Sequence, residues 1–172
     1  HGLGVGDVNG DGRPDLIEKD GWWEQPASWD GQSVWTHHPM NFAPPDPGVP
    51  VGSAQMFAYD VNGDGLNDVI TSLAAHGYGL AWYEQTKSAD GKIGFVQHEL
   101  MSKDPKAASK TPVYSMLHAL DLADINGDGI DDLIVGAPSA SPNGTYSGSS
   151  YVVFGRSTVF SATINLSSLD GN

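Results

Sequence analysis

DVNGDGRPD from Asp7, DVNGDGLND from Asp60 and DINGDGIDD from Asp124 are three copies of one nine-residue acidic loop. Each copy sets an oxygen-bearing side chain at positions 1, 3, 5 and 9: Asp7, Asn9, Asp11 and Asp15; Asp60, Asn62, Asp64 and Asp68; Asp124, Asn126, Asp128 and Asp132. Ca²⁺ takes six to eight hard oxygens at about 2.3–2.6 Å, and a tight turn aims alternate side chains at one point. Glycines at positions 4 and 6 permit the positive φ values that such a turn demands. A further ligand is expected from the backbone carbonyl at position 7, that of Arg13, Leu66 or Ile130, where the side chain is free to vary. Asp, Asn and Gly also favour ordinary turns. The same four ligand positions in three copies, each followed by an apolar pair (Leu16-Ile17, Val69-Ile70, Leu133-Ile134), point instead to three calcium sites.

Around each loop the pattern is that of short strands. The runs GLGVGD, QMFAYD and ALDLAD precede the loops. After them come DLIEK (15–19), GWWEQ (21–25) and SVWTHH (33–38); DVITSLA (68–74), GLAWYEQ (79–85) and IGFVQHEL (93–100); DDLIVGA (131–137), SSYVVFG (149–155) and SATINLS (161–167). Four short strands per repeat predict an all-β fold of β-propeller blades, each of four antiparallel strands. The blades divide the chain at 1–52, 53–116 and 117–172. Pro-, Lys- and Ser-rich connections at 41–52 and 102–116 join them. An EF-hand is the rival reading, and Glu18 stands at position 12 of the first loop. The other copies have Thr71 and Val135 there, and no helical periodicity flanks any of them.

The chain has 172 residues, enough for one domain, with 8 basic against 21 acidic residues and a net charge of −13. Nine of the acids are loop ligands, so three Ca²⁺ would offset six charges and calcium is expected to support folding. The balance speaks against nucleic acid or an anionic membrane as a partner. No apolar run reaches membrane-spanning length. There is no cysteine, which removes disulfides and thiolate metal sites. Multi-aspartate loops suit the millimolar calcium of an extracellular setting. The opening at His1, without Met or signal peptide, suggests a mature or excised fragment.

The third repeat, with DDLIVGAP (Asp131–Pro138) and SSYVVFG, resembles the FG-GAP (VCBS-type) repeats of integrin α-subunit propellers and their bacterial relatives. The resemblance implies Ca²⁺ in the loop between adjacent strands of a blade. The first two repeats, with GWWEQP and GLAWYEQT, lack the GAP tripeptide and are similar to the propeller of aldos-2-ulose-dehydratase-type sugar enzymes. Three repeats fall short of the usual ring. A longer chain, a ring completed by further subunits, or an end-to-end assembly would cover the open edges.

No nucleophile elbow, phosphate loop or HExxH is present. His1 and His118 each lie six residues before a loop, and strand alternation should bring His76 and Asp20 to the same face. A cluster of His1, His76 and His118 would suit acid–base or metal chemistry; the plainer reading is separate surface histidines. His37, His38 and His98 fall on outermost strands. The aromatics Trp22, Trp23, Trp35, Trp82, Tyr83, Tyr151 and Phe154 alternate with polar residues, so one of each pair is expected between blades, with Trp22 or Trp29 as the exposed candidate for stacking on a sugar. Asn143 and Asn165 head glycosylation sequons. The function these features suggest is an extracellular calcium-binding module for adhesion, for carbohydrate or protein binding, or for structural assembly. A fragment of a sugar-transforming enzyme and a self-assembling fibre subunit are the alternatives.

Overall fold

The computed structural model describes residues 2–44, 52–104, 106, 115–139 and 144–156. Within them are eleven strands and no helix: β1 (Leu3–Gly6), β2 (Asp15–Glu18), β3 (Gly21–Glu24), β4 (Thr36–Pro39), β5 (Phe57–Tyr59), β6 (Asp68–Ser72), β7 (Leu80–Lys87), β8 (Ile93–Met101), β9 (Ala119–Ala123), β10 (Asp132–Ala137) and β11 (Ser149–Val153). They form three antiparallel meanders, β1-β2-β3-β4, β5-β6-β7-β8 and β9-β10-β11, and none closes into a barrel. The architecture is that of propeller blades in an incomplete ring. The strand expected at 161–167 lies outside the described residues, as do His1, Asn143 and Asn165.

Each acidic loop connects the first two strands of its sheet, and the register repeats from blade to blade. Leu16 sits opposite Trp23, Val69 opposite Tyr83 and Leu133 opposite Val153. On the other face Ile17 sits opposite Trp22, Ile70 opposite Trp82 and Ile134 opposite Val152. Because successive side chains alternate between faces, each blade presents one apolar surface to the blade before it and another to the blade after.

Blade 2 uses both surfaces. Val69, Ala81 and Tyr83 join Val8, Ile17, Trp22, Phe42 and Met56 in one core, while Ile70, Leu80 and Trp82 join Leu117, Leu120, Leu133, Val135 and Val153 in a second. Every residue of β6 is therefore buried. The innermost strands of blades 1 and 2 touch through a parallel bridge between Gly4 and Met56. A Cβ on Gly4 would stand 2.2 Å from the Met56 carbonyl oxygen, so only glycine permits this approach.

Two local expectations need correction. Strand β4 begins at Thr36 rather than Ser33, because Asp30 accepts hydrogen bonds from the Gln32 and Ser33 amides and the Ser33 hydroxyl, folding that segment into a turn. Trp22 is not an exposed platform: it is 2% exposed, walled in by blade 2, whereas Trp29 is 60% exposed and meets Trp35 edge-on. The rule that one aromatic of each pair packs between blades holds in blade 1. In blade 2 both Trp82 and Tyr83 are buried, since a neighbour covers each face.

Candidate metal centres

The three loops share one hydrogen-bond frame. The carboxylate at position 1 accepts three backbone amides: Asp7 from Gly10, Asp11 and Gly12 at 2.7–3.0 Å; Asp60 from Gly63, Asp64 and Gly65 at 2.8–3.1 Å; Asp124 from Gly127, Asp128 and Gly129 at 2.7–3.1 Å. The position-3 amide oxygen takes the amide of position 5, and the position-5 carboxylate takes that of position 7. Glycines at positions 4 and 6 carry φ between +76° and +86°. A Cβ there would meet no atom within 4 Å, so glycine is required for its conformation and not for space.

The position-9 aspartates act differently. Asp15, Asp68 and Asp132 are wholly buried. One oxygen of each accepts the amide at position 2 of its own loop (Val8, Val61, Ile125), and the other an amide within or just past the third strand (Gln85 within β7, Gln25 and Gly155 just past β3 and β11). This residue ties the loop to the far side of its blade. Desolvation, reinforced by Asp64 and Asp60, lifts the Asp68 pKa to about 7 against the pull of its two amides. Asp15 moves in the same direction, again chiefly through burial.

Position 7 differs between copies. The Arg13 guanidinium pairs with Asp11 across the mouth of loop 1 and also donates to the Gln25 carbonyl at 3.3 Å, while Leu66 and Ile130 place no charge there. Among the described residues no three His, Asp or Glu side chains are grouped as a metal cluster. The loops close on their own backbone amides. The remaining donors in each loop are hard oxygens alone, from two half-buried or exposed carboxylates, an asparagine amide and main-chain carbonyls, a set that fits Ca²⁺ or Mg²⁺ and not a soft metal. Glu18 points away from loop 1 and accepts the Trp23 indole N–H at 2.8 Å, which, with the absence of helix among the described residues, removes the EF-hand reading.

Of the histidine candidates, His76 and His118 meet edge to face with ring centroids 4.7 Å apart, so the alternation of strands does return both to one face. His38 and His98 lie on the fourth strands as expected. Each is stacked on the buried tryptophan of the strand beside it, at 4.1 Å on Trp22 and 4.5 Å on Trp82, and bonded to a glutamate, Glu24 at 2.8 Å and Glu84 at 2.7 Å. Glu84 also accepts from Asn62 at 3.3 Å, linking loop 2 to the outer strand. The signal was in the sequence: the same spacing separates Trp22 from His38 and Trp82 from His98.

The FG-GAP repeat family matches residues 117–153, which hold β9, the third loop, β10 and β11. No curated protein matches the chain.

Proposed function

We propose that the chain is a calcium-loaded, integrin-like propeller module, of the VCBS type, that serves as an extracellular binding or structural unit in adhesion or assembly. The observation that carries this reading is the single hydrogen-bond frame repeated in all three loops, which pre-organises the position-1, -3 and -5 oxygens. Asp7, Asn9, Asp11 and Asp15 with the Arg13 carbonyl would hold the first ion. Asp60, Asn62, Asp64 and Asp68 with Leu66 would hold the second, and Asp124, Asn126, Asp128 and Asp132 with Ile130 the third. The ions pin the crossing from first to second strand and offset part of the −13 charge, so their work is stabilisation. Calorimetric melting with calcium and with a chelator tests this: a melting temperature that calcium leaves unchanged rejects it.

The His76–His118 contact favours a second reading, a fragment of a sugar-transforming enzyme akin to the aldos-2-ulose-dehydratase type. Here the imidazole pair supplies the acid and base. Once turnover of a keto-sugar is detected, its survival in His118→Ala rejects this alternative.

A further inference from the structure

The β7–β8 hairpin outruns the sheet that carries it. β6 pairs with β7 from Ser72 opposite Leu80 to Val69 opposite Tyr83, whereas β7 and β8 stay in register beyond that point, through Gln85 opposite Phe95 to Lys87 opposite Ile93. The turn is pinned by the Ser88 amide on the Lys92 carbonyl at 3.0 Å and the Gly91 amide on the Ser88 carbonyl at 2.8 Å. Side chains alternate across a strand, so Lys87 and Ile93 continue the face of Tyr83 and Phe95, which packs on blade 1. The β3–β4 hairpin of blade 1 pairs only as far as Glu24 opposite Thr36. The overhang encloses with blade 1 a cleft of about 760 Å³, within the range of small-molecule sites.

Opposite charges line this cleft without meeting. Glu24 and His38 come from blade 1 and Lys87 and Lys92 from the hairpin, over a half-buried apolar floor of Met40, Ile93 and Phe95. Among the described residues neither lysine is in an ion pair. Glu24 holds His38 through Oε2 at 2.8 Å, and its Oε1 accepts no bond among the described residues. The matching oxygen of Glu84 in blade 2 accepts the Asn62 amide at 3.3 Å, whereas in loop 1 the Asn9 amide turns to Asp11 instead. Asp11, the other carboxylate of the lining, is already taken by Arg13.

We propose that this cleft binds a short neutral oligosaccharide. A carboxylate only accepts hydrogen bonds and an ammonium only donates them, whereas a hydroxyl does both, so a run of sugar hydroxyls satisfies Glu24 and the two lysines at once. The C–H faces of the rings rest on Phe95 and Met40. The lining also turns away charged chains. Its two carboxylates and two lysines balance in a molecule of net charge −13, so a polyanion meets Glu24 and Asp11 and a polycation meets Lys87 and Lys92. Both walls belong to the internal junction of blades 1 and 2, and the site is complete between Asn9 and Phe95. The inference rests on the proposed reading as a binding module, whose ligand it names, and needs no metal.

Titration of the 172-residue chain with maltotriose, cellotriose, mannotriose and triacetylchitotriose tests it, followed by calorimetry and amide NMR, with trigalacturonate and trilysine as charged controls. Saturable binding of at least one neutral sugar is expected, with amide shifts concentrated at Glu24, His38 and the hairpin from Lys87 to Phe95. Glu24→Gln and Lys92→Ala should each weaken it roughly tenfold, since each removes a charged hydrogen-bonding partner. Unchanged melting confirms folding, and Lys87→Ala replaces either variant that fails that check. Glu99→Gln and Lys106→Ala make matching charge changes at exposed positions outside the cleft and should bind like the parent. No binding of any neutral sugar, tighter binding of a charged trimer, shifts that lie elsewhere, or equal losses in the outlying variants overturns the proposal. A chain that calcium stabilises but that binds no sugar overturns this inference and leaves the calcium-loaded module standing. Sugar binding by a chain whose melting calcium leaves unchanged supports this inference and rejects the calcium reading.

Discussion

The side-chain amide of Gln85, in β7 of blade 2, donates to the main-chain carbonyl of Val8 in the first acidic loop at 2.8 Å, across the junction between two blades. The same amide reaches the Asn67 carbonyl at 2.6 Å, and Asn67 in turn donates to the Asp7 carbonyl at 2.5 Å. The acidic loop of one blade is therefore built into the packing of the next. Gln85 is 2% exposed, so removing its amide leaves buried carbonyls without a donor. Gln85→Ala should cost roughly 1–3 kcal/mol. Denaturant unfolding checks it; a midpoint equal to the parent's would mean that the cross-blade bonds contribute nothing.

A steric prediction follows from the innermost strands. Gly4 has no Cβ to collide with Met56, and Gly6 none to collide with Ala58, where the added atom would sit 2.7 Å from the Ala58 Cβ. Gly4→Ala should force β1 away from β5 and cost about 1–3 kcal/mol as overpacking. The loss should persist in saturating calcium, because the clash lies between blades and not in a loop. A variant as stable as the parent counts against the close parallel bridge.

Strands and loops were legible in the sequence because their determinants are local. The short apolar runs after Asp15, Asp68 and Asp132 place β2, β6 and β10, and the Gly pairs at positions 4 and 6 place the turns. What was not legible is non-local. Trp22 and Trp23 read alike in sequence, and among the described residues only the packing of blade 2 on one face makes one 2% and the other 36% exposed. The position-9 aspartates read as ligands like the rest. Their second task, accepting an amide from the third strand or the residue just past it, becomes visible only when Gln25, Gln85 and Gly155 are brought alongside.

On the proposed calcium reading, Asp68 should couple the ion to pH. Its pKa stands at about 7 in the metal-free fold against 3.8 for the free side chain. Between those values the folded state holds a proton that the unfolded chain has lost, so metal-free stability falls as pH rises through that window and levels off above it. Calcium, bound as proposed, would require the ionised carboxylate and displace that proton, so its stabilising effect should grow over the same window. Melting curves of resin-stripped and calcium-loaded protein from pH 5 to 8 are the check. A metal-free form that gains stability from pH 5 to 7 contradicts the assignment.

If the three loops take calcium as proposed, loop 1 should be the weakest of them. Its Arg13 guanidinium is paired with Asp11, one of the carboxylates proposed as ligands, and brings a positive charge to the loop mouth. Leu66 and Ile130 leave Asp64 and Asp128 without that competitor. The pair is partly solvent-exposed, so its competition is weak, roughly a factor of a few in affinity. Arg13→Leu should therefore tighten loop 1 several-fold and leave the others unchanged. Trp22, Trp23, Trp29 and Trp35 all lie in blade 1, with Trp82 alone in blade 2, so tryptophan emission during a calcium titration reports chiefly on this loop. A tighter first transition is the expected result. A weaker one would mean that Arg13 orders the loop more than it competes, because its second bond, to the Gln25 carbonyl, spans the same gap that Asp15 closes from below.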